Sequence, residues 1–416
     1  MTTLSPQDIM LAAALVFGLA TLCQVVAPLL RVPALILLLP VGFIFGLVAP
    51  QFQMDQILGP AFSVAVDLMV ALILFQGGLQ LGDISLQGAD RSVVRRLIWI
   101  GAPMTWMAGS LAAHFLLGLS WPLAFLLGAI LIVSGPTVVT PILNFAKPKA
   151  RVRGILVWEG TMLDPLGGIL AVVTFQVVRV ASTDGTLEAI LALLWSFVVA
   201  FILAAVGVVL AVLGTRITRG NRVLGTQVLV GTVLFTAGFA NFLSEDSGLL
   251  TALLIGAGSM RLAKRMNVSL DPVLPFFNTV ASIGIGVLFI SIAALVPSPL
   301  VASIALPAIA MALILILVVR PVVAATCTRN LGLTRNERMF VGWMDPRGIV
   351  AAATAASVGA SLVAAKVDGA ADLLPAAFII ISVTVFVYGL TAVPVAKALG
   401  LREDQDATSV TAKQPD

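Results

Sequence analysis

The chain has 416 residues, 60% of them hydrophobic and 11% charged, against about 25% charged in a soluble domain, so it is a polytopic membrane protein. Its net charge of +4 gives no argument for nucleic acid, because the basic residues lie between apolar runs and mark orientation. Two cysteines, Cys23 and Cys327, and one histidine, His114, exclude a disulfide framework, a zinc site and a histidine-ligated metal centre.

Apolar runs fall near residues 8–29, 33–50, 60–81, 97–119, 121–146, 154–180, 187–215, 223–243, 247–262, 273–297, 300–328, 339–363 and 373–396. A bilayer span takes roughly 20 residues, so these read as about 13 transmembrane helices in an all-α fold. Thr2–Gln7 carries no basic segment, so no cleavable signal peptide is expected. The odd-numbered connections carry Arg31, Arg91, Arg95, Arg96, Lys147, Lys149, Arg151, Arg153, Arg216, Arg219, Arg222, Arg261, Lys264, Arg265, Arg329, Arg335 and Arg338. With Lys397, Arg402 and Lys413 of the tail, that is 20 of the 24 basic residues. The even-numbered connections are mostly acidic: Asp55, Asp184, Glu188, Glu245, Asp246, Asp368 and Asp372. The positive-inside rule then places the N-terminus outside and the tail in the cytoplasm.

Two six-run halves flank a bridging run near 187–215: repeat one covers about 8–180 and repeat two about 223–396. The first run of each half points the opposite way, as in inverted repeats. Run five is interrupted by Ser134-Gly135-Pro136-Thr137, and its counterpart, run twelve, by Asp345-Pro346-Arg347-Gly348. Matching breaks in matching helices point to a binding site near the membrane midplane. The whole of 1–401 reads as one transmembrane domain, followed by a short tail, 402–416.

Run six holds Trp158-Glu159-Gly160-Thr161-Met162-Leu163-Asp164-Pro165. Each charge at membrane depth costs at least roughly 2.5–3.5 kcal/mol, so two carboxylates there call for partners or a function. Five residues apart, they sit about 140° apart around a helix and face different neighbours. Pro165 has no amide hydrogen, which leaves the Thr161 carbonyl without its helical partner. Carboxylate, hydroxyl and free carbonyl oxygens together suit a hard cation. A kinked structural helix with one buried ion pair is the plainer reading, and two carboxylates plus a proline weigh against it.

Arg347 is permanently charged and needs an acid in an apolar bundle. The acids at hand are Glu159, Asp164, Asp345 and Asp67. The sequence assigns Glu159 to Arg347 as a static brace between runs six and twelve. Asp164 then has no fixed cation and must be neutralised by a proton or a metal cation. Alternation of those two on one carboxylate is the minimum chemistry of cation/proton exchange.

With these residues in place the chain resembles the monovalent cation:proton antiporter family, in the NhaP-like branch related to animal sodium/hydrogen exchangers. The matching segments are Leu74-Phe75-Gln76-Gly77-Gly78-Leu79, Ser134-Gly135-Pro136-Thr137, Glu159 to Asp164, Ser244-Glu245-Asp246-Ser247-Gly248-Leu249-Leu250 and Pro346-Arg347-Gly348. The resemblance implies thirteen helices in two inverted repeats, a core domain moving against a dimerisation domain, a homodimer in the cell inner membrane, and no cofactor. It implies that Asp164 carries the ion or proton while Glu159 pairs with Arg347. It makes Asp164, Thr161, Ser134, Thr137 and Gln76 candidate ligands of Na+, K+ or Li+. The chain departs from the family pattern at Leu163 (often Asn), at Gly135 (often Asp) and at Gln76 (often Glu). Asp345 is extra, and is a candidate second carrier.

Two other classes place acids in a membrane. An intramembrane aspartyl protease would need two cooperating Asp, but Asp164 is not preceded by Tyr and Asp345 lacks a Gly-x-Gly-Asp setting. A potassium channel would need a carbonyl filter loop, and the only tyrosine is Tyr388. No Gly-Lys-Ser/Thr phosphate loop occurs, so no ATP-driven pump is expected within this chain.

Overall fold

The computed structural model describes residues 6–30, 32–83, 88–180, 186–218, 221–244 and 247–403. Among them the chain is helical, and its one β pairing is an isolated bridge between Pro148 and Arg402. In chain order the helices are α1 (Pro6–Leu29), α2 (Leu35–Val48), α3 (Pro60–Asp83), α4 (Asp90–Leu117), α5 (Trp121–Ile130), α6 (Pro136–Ala146), α7 (Ala150–Val180), α8 (Thr186–Ile217), α9 (Arg222–Leu243), α10 (Ser247–Arg265), α11 (Leu274–Ala294), α12 (Ser298–Cys327), α13 (Arg335–Val341), α14 (Ile349–Ala364) and α15 (Leu373–Ala398), with short turns between some of them.

Among the described residues, eight helices (α1, α4, α7, α8, α9, α11, α12 and α15) contain stretches long and apolar enough to cross a membrane. Four shorter apolar stretches lie among them: Leu35–Val48, Val64–Gln80, Trp121–Ile130 and Ile349–Ala364. Short helices are what a broken span leaves behind. The first break separates α5 from α6. Gly135 is extended there, at φ −90° and ψ 156°, and Pro136 opens α6, where a missing amide hydrogen costs nothing. The second break runs from Gly342 to Gly348, between α13 and α14. Pro346 disfavours helical geometry at Asp345 before it, which holds this segment open.

Packing is close where glycines remove the obstacle of a side chain. Gly78 of α3 and Gly256 of α10 face each other's backbone: a Cβ on Gly78 would strike the Leu253 carbonyl, and one on Gly256 the Phe75 carbonyl. Two helices contain a π turn, Leu97–Gly101 in α4 and Leu315–Val319 in α12. The wider turn shifts the side chains that follow it around the helix axis. In α12 the first residue after the turn is Arg320.

The segment after α15 folds back on the start of α7. Lys149 N–H donates to the Leu401 carbonyl (2.8 Å) and Glu403 N–H to the Lys147 carbonyl (2.9 Å). Beside this bridge Arg151 pairs with Asp90 at 2.8 Å, joining the starts of α4 and α7. Residues 404–416, which hold most of the expected tail, lie outside the described residues. So do Arg31, Asp184, Arg219, Glu245 and Asp246, and the side chains of Asp55, Thr137, Arg179 and Glu188.

Candidate functional site

One face of α7 is built for the first break. Gly160, Asp164 and Gly167 fall at helical spacings of four and three. A Cβ on Gly160 would lie 2.9 Å from the Ser134 carbonyl, and one on Gly167 would lie 3.0 Å from the Val133 nitrogen. The segment Val133–Gly135 therefore runs against backbone at both ends. Between the two glycines stands Asp164, whose carboxylate packs on Gly135. A Cβ there would lie 2.6 Å from Asp164 Oδ2.

Asp164 is 1% exposed. Among the described residues, neither of its carboxylate oxygens has a hydrogen-bond donor, and no charged side chain bears on it. A buried carboxylate in this state is costly unless a proton or cation neutralises it. Its nearest favourable feature is the start of α6, whose N-cap residue is Gly135; a helix N-terminus attracts negative charge.

The adjacent face of α7 carries Glu159 and Leu163, and it meets a different set of charges. Arg320 of α12 binds Glu159 in a two-pronged pair, Nη1 to Oε1 at 2.5 Å and Nη2 to Oε2 at 2.8 Å. Arg320 Nε also donates to the Val341 carbonyl at 2.9 Å, which ties α13 to the same brace. The expected Glu159–Arg347 pair is therefore corrected. Arg347 binds Asp345, two residues away, with Nη2 at 2.9 Å from Oδ2. Two arginines were available at membrane depth, and spacing does not say which helix abuts the Glu159 face. Arg320 sits directly after the α12 π turn and reaches Glu159 first. Arg347 finds its acid inside its own break.

These two pairs surround a cavity of about 10 Å³, lined by Thr105, Ile132, Glu159, Arg320, Asp345 and Arg347 among others. Arg347 also joins the two breaks, since its Nη1 donates to the Ile132 carbonyl at 3.4 Å. Its own N–H donates to Thr384 Oγ1 of α15 at 3.3 Å. The cluster is electrically balanced, two acids against two arginines. Asp345, the candidate second carrier, is held by an arginine, while Asp164 is not.

The other candidate ligands are placed as follows. The Thr161 hydroxyl, 1% exposed, donates to the Val157 carbonyl at 2.6 Å and keeps its oxygen lone pairs for a further contact. Ser134 is buried in the first break, beside Gly135. The Thr137 side chain lies outside the described residues. Gln76 of α3 is buried and donates through Nε2 to Asn278 Oδ1 of α11 at 2.7 Å. Gly77, next to it, faces Pro136 and Thr161: a Cβ there would lie 3.5 Å from Pro136 Cγ and 3.8 Å from Thr161 Cγ2. Sequence reasoning assigned no role to Arg320, and it missed Asn278. Arg320 was detectable by the rule that singled out Arg347, a permanent charge inside an apolar run. Asn278 carried no such signal.

The family description "sodium/hydrogen exchanger, transmembrane" matches residues 13–398, nearly the whole chain. The chain belongs to this sodium/hydrogen exchanger family. Among curated relatives, it is 26% identical over 357 residues to the K(+)/H(+) antiporter NhaP of Alkalimonas amylolytica, covering 81% of this chain and 58% of that protein. It is 26% identical over 351 residues to the K(+)/H(+) antiporter NhaP2 of Shewanella sp. (strain ANA-3), with 82% and 58% covered. The chain thus spans 58% of the length of these relatives. Its fold matches the solved sodium proton antiporter MjNhaP1 of Methanocaldococcus jannaschii with a TM-score of 0.77 at 19% identity, covering 94% of this chain and 99% of that one. A second structure of that antiporter, from electron microscopy, matches at 0.75 and 20% identity, covering 97% of this chain and all of that one.

Proposed function

We propose that this exchanger carries a monovalent cation against protons across the plasma (inner) membrane by alternating access. The observation that carries the reading is the state of Asp164: buried, against the first helix break and, among the described residues, without donor or cationic partner. The other buried acids of the cluster each hold an arginine. Asp164 is therefore the one group there whose charge must be balanced by something that comes and goes.

A proton and a dehydrated cation meet that need at the same oxygens, so they exclude each other. Na+ is the first candidate, with K+ and Li+ next; the relatives include a K(+)/H(+) antiporter and a sodium proton antiporter. Thr161, Ser134, Thr137 and Gln76 are the further oxygen donors of this reading. The Glu159–Arg320 and Asp345–Arg347 pairs hold the two breaks in register. Thirteen spans in inverted repeats, the N-terminus outside, the tail in the cytoplasm and a homodimer complete it, on the alternation of charges and the family. The channel and protease alternatives draw no support: Asp345 is tied to Arg347 and does not share a site with Asp164.

The test is proton flux in proteoliposomes loaded in turn with sodium, potassium and lithium. Exchange is expected with at least one of them in the wild type and with none in Asp164→Asn, whose amide keeps the shape but binds no exchangeable proton. Undiminished flux through Asp164→Asn would remove the reading.

A further inference from the structure

The bond between Gln76 of α3 and Asn278 of α11 is a contact between two uncharged amides. It has a fixed seat. One residue earlier on each helix, Phe75 and Phe277 meet edge to face with ring centres 4.9 Å apart, and both are buried. The aromatic pair sets the separation of α3 and α11, and the amide pair forms the next rung.

That rung lies beside the ion site. Gly77 packs on Pro136 and on Thr161. Pro136 follows the residue that touches the Asp164 carboxylate, and Thr161 is three residues before Asp164. Gln76 is buried whereas Asn278 is exposed. The pair therefore spans the boundary between a surface and the closed interior.

An amide–amide hydrogen bond uses one nitrogen and one oxygen. Gln76 is the donor, so Asn278 Oδ1 is the oxygen used and Gln76 Oε1 lies outside the bond. Such an oxygen is a hard, neutral ligand that adds no charge to a site with a single carboxylate. Without the bond, a glutamine side chain explores several rotamers and its oxygen has no fixed distance from the cation.

We propose that Asn278 is a positioning residue that holds the Gln76 carboxamide as a neutral oxygen donor to the transported cation, and so sets affinity and sodium/potassium discrimination. The inference rests on the antiporter reading. Discrimination between ions of different size depends on how many oxygens surround the ion and how firmly they are placed. Asn278 supplies that firmness from outside the coordination shell.

The experiment measures sodium- and potassium-driven proton flux in proteoliposomes for the wild type, Asn278→Ala, and the control Thr279→Ala at the neighbouring exposed position. Losing one net hydrogen bond, Asn278→Ala should raise the apparent KM of the preferred cation by about two- to twelvefold. The maximal rate should be kept, and the ratio of the two KM values should move toward one. A double variant with the partners exchanged, Gln76→Asn with Asn278→Gln, should recover part of the ratio. Thr279→Ala should match the wild type. Unchanged KM values in Asn278→Ala, or a fall in rate alone, overturn the inference while leaving exchange itself intact. A wild type that exchanges no cation overturns the antiporter reading and this inference with it. Cation-dependent thermal stabilisation of the purified proteins gives a second reading that does not require transport: a shift equal in Asn278→Ala and wild type also overturns it.

Discussion

Asp164 packs on Gly135, and each constrains the other. The carboxylate rests on a residue with no side chain, in a space a methyl group would enter at 2.6–2.9 Å from three carboxyl atoms. Gly135→Ala should push Asp164 off its seat. Transport assays on this variant should show a sharply raised cation KM or lost exchange, while the protein still inserts and purifies; wild-type kinetics in Gly135→Ala would show that the contact is dispensable. Asp164 was legible in the sequence because a carboxylate inside a long apolar run is expensive and stands out. The role of Gly135 was not. Its departure from the family pattern was visible, but a glycine does not announce what lies against it. The same limit hid Asn278, an ordinary residue near the start of an apolar run whose importance comes from Gln76 on a helix some two hundred residues earlier.

Helices α7, α12 and α13 are joined by Arg320 rather than by apolar packing alone. Arg320 reaches from α12 to Glu159 of α7 and to the last carbonyl of α13. Removing one partner of a buried pair leaves the other stranded and costs about 3–5 kcal/mol. Glu159→Ala and Arg320→Ala should each lower the melting temperature strongly, and the double variant should recover part of the loss because neither charge is then left alone. Losses that simply add would mean that the two residues are not energetically coupled. Arg347→Ala should behave differently. Its loss frees Asp345 and cuts the link to the Ile132 carbonyl, so it strands an acid between the two breaks without touching Glu159. A Glu159→Ala/Arg347→Ala pair should therefore show little of the recovery seen with Arg320. The two breaks themselves were readable from Ser134-Gly135-Pro136 and Asp345-Pro346-Arg347-Gly348, since proline and glycine act on their own backbone. The choice of arginine was not readable. It depends on the Leu315–Val319 turn, whose extra width alters where Arg320 points and leaves no mark in composition.

For the whole molecule the decisive quantity is how many charges move per cycle. The charge cluster holds Glu159, Asp345, Arg320 and Arg347, and it sums to zero with each acid bound to its own arginine. Adding Asp164 gives a net charge of −1 for the site. One cation or one proton restores neutrality, and either form is the one suited to cross a low-dielectric barrier. A site that moves neutral in both directions transfers no net charge. Exchange should then be one for one and insensitive to membrane potential. Competition fixes the sign of the pH dependence: as pH falls, protons occupy Asp164 and the apparent cation affinity drops. With one proton released per cation bound, the slope of log KM against pH should approach about minus one on the acidic side. Asp345 is where this argument can fail, because an acid released by Arg347 during the cycle would carry a second proton. Flux driven by sodium or potassium should be measured in liposomes with potassium and valinomycin clamping the voltage at zero and then at a large negative value. Equal rates at the two voltages support one-for-one exchange. A clear acceleration at negative voltage inside would overturn it, and its loss in Asp345→Asn would identify the second carrier.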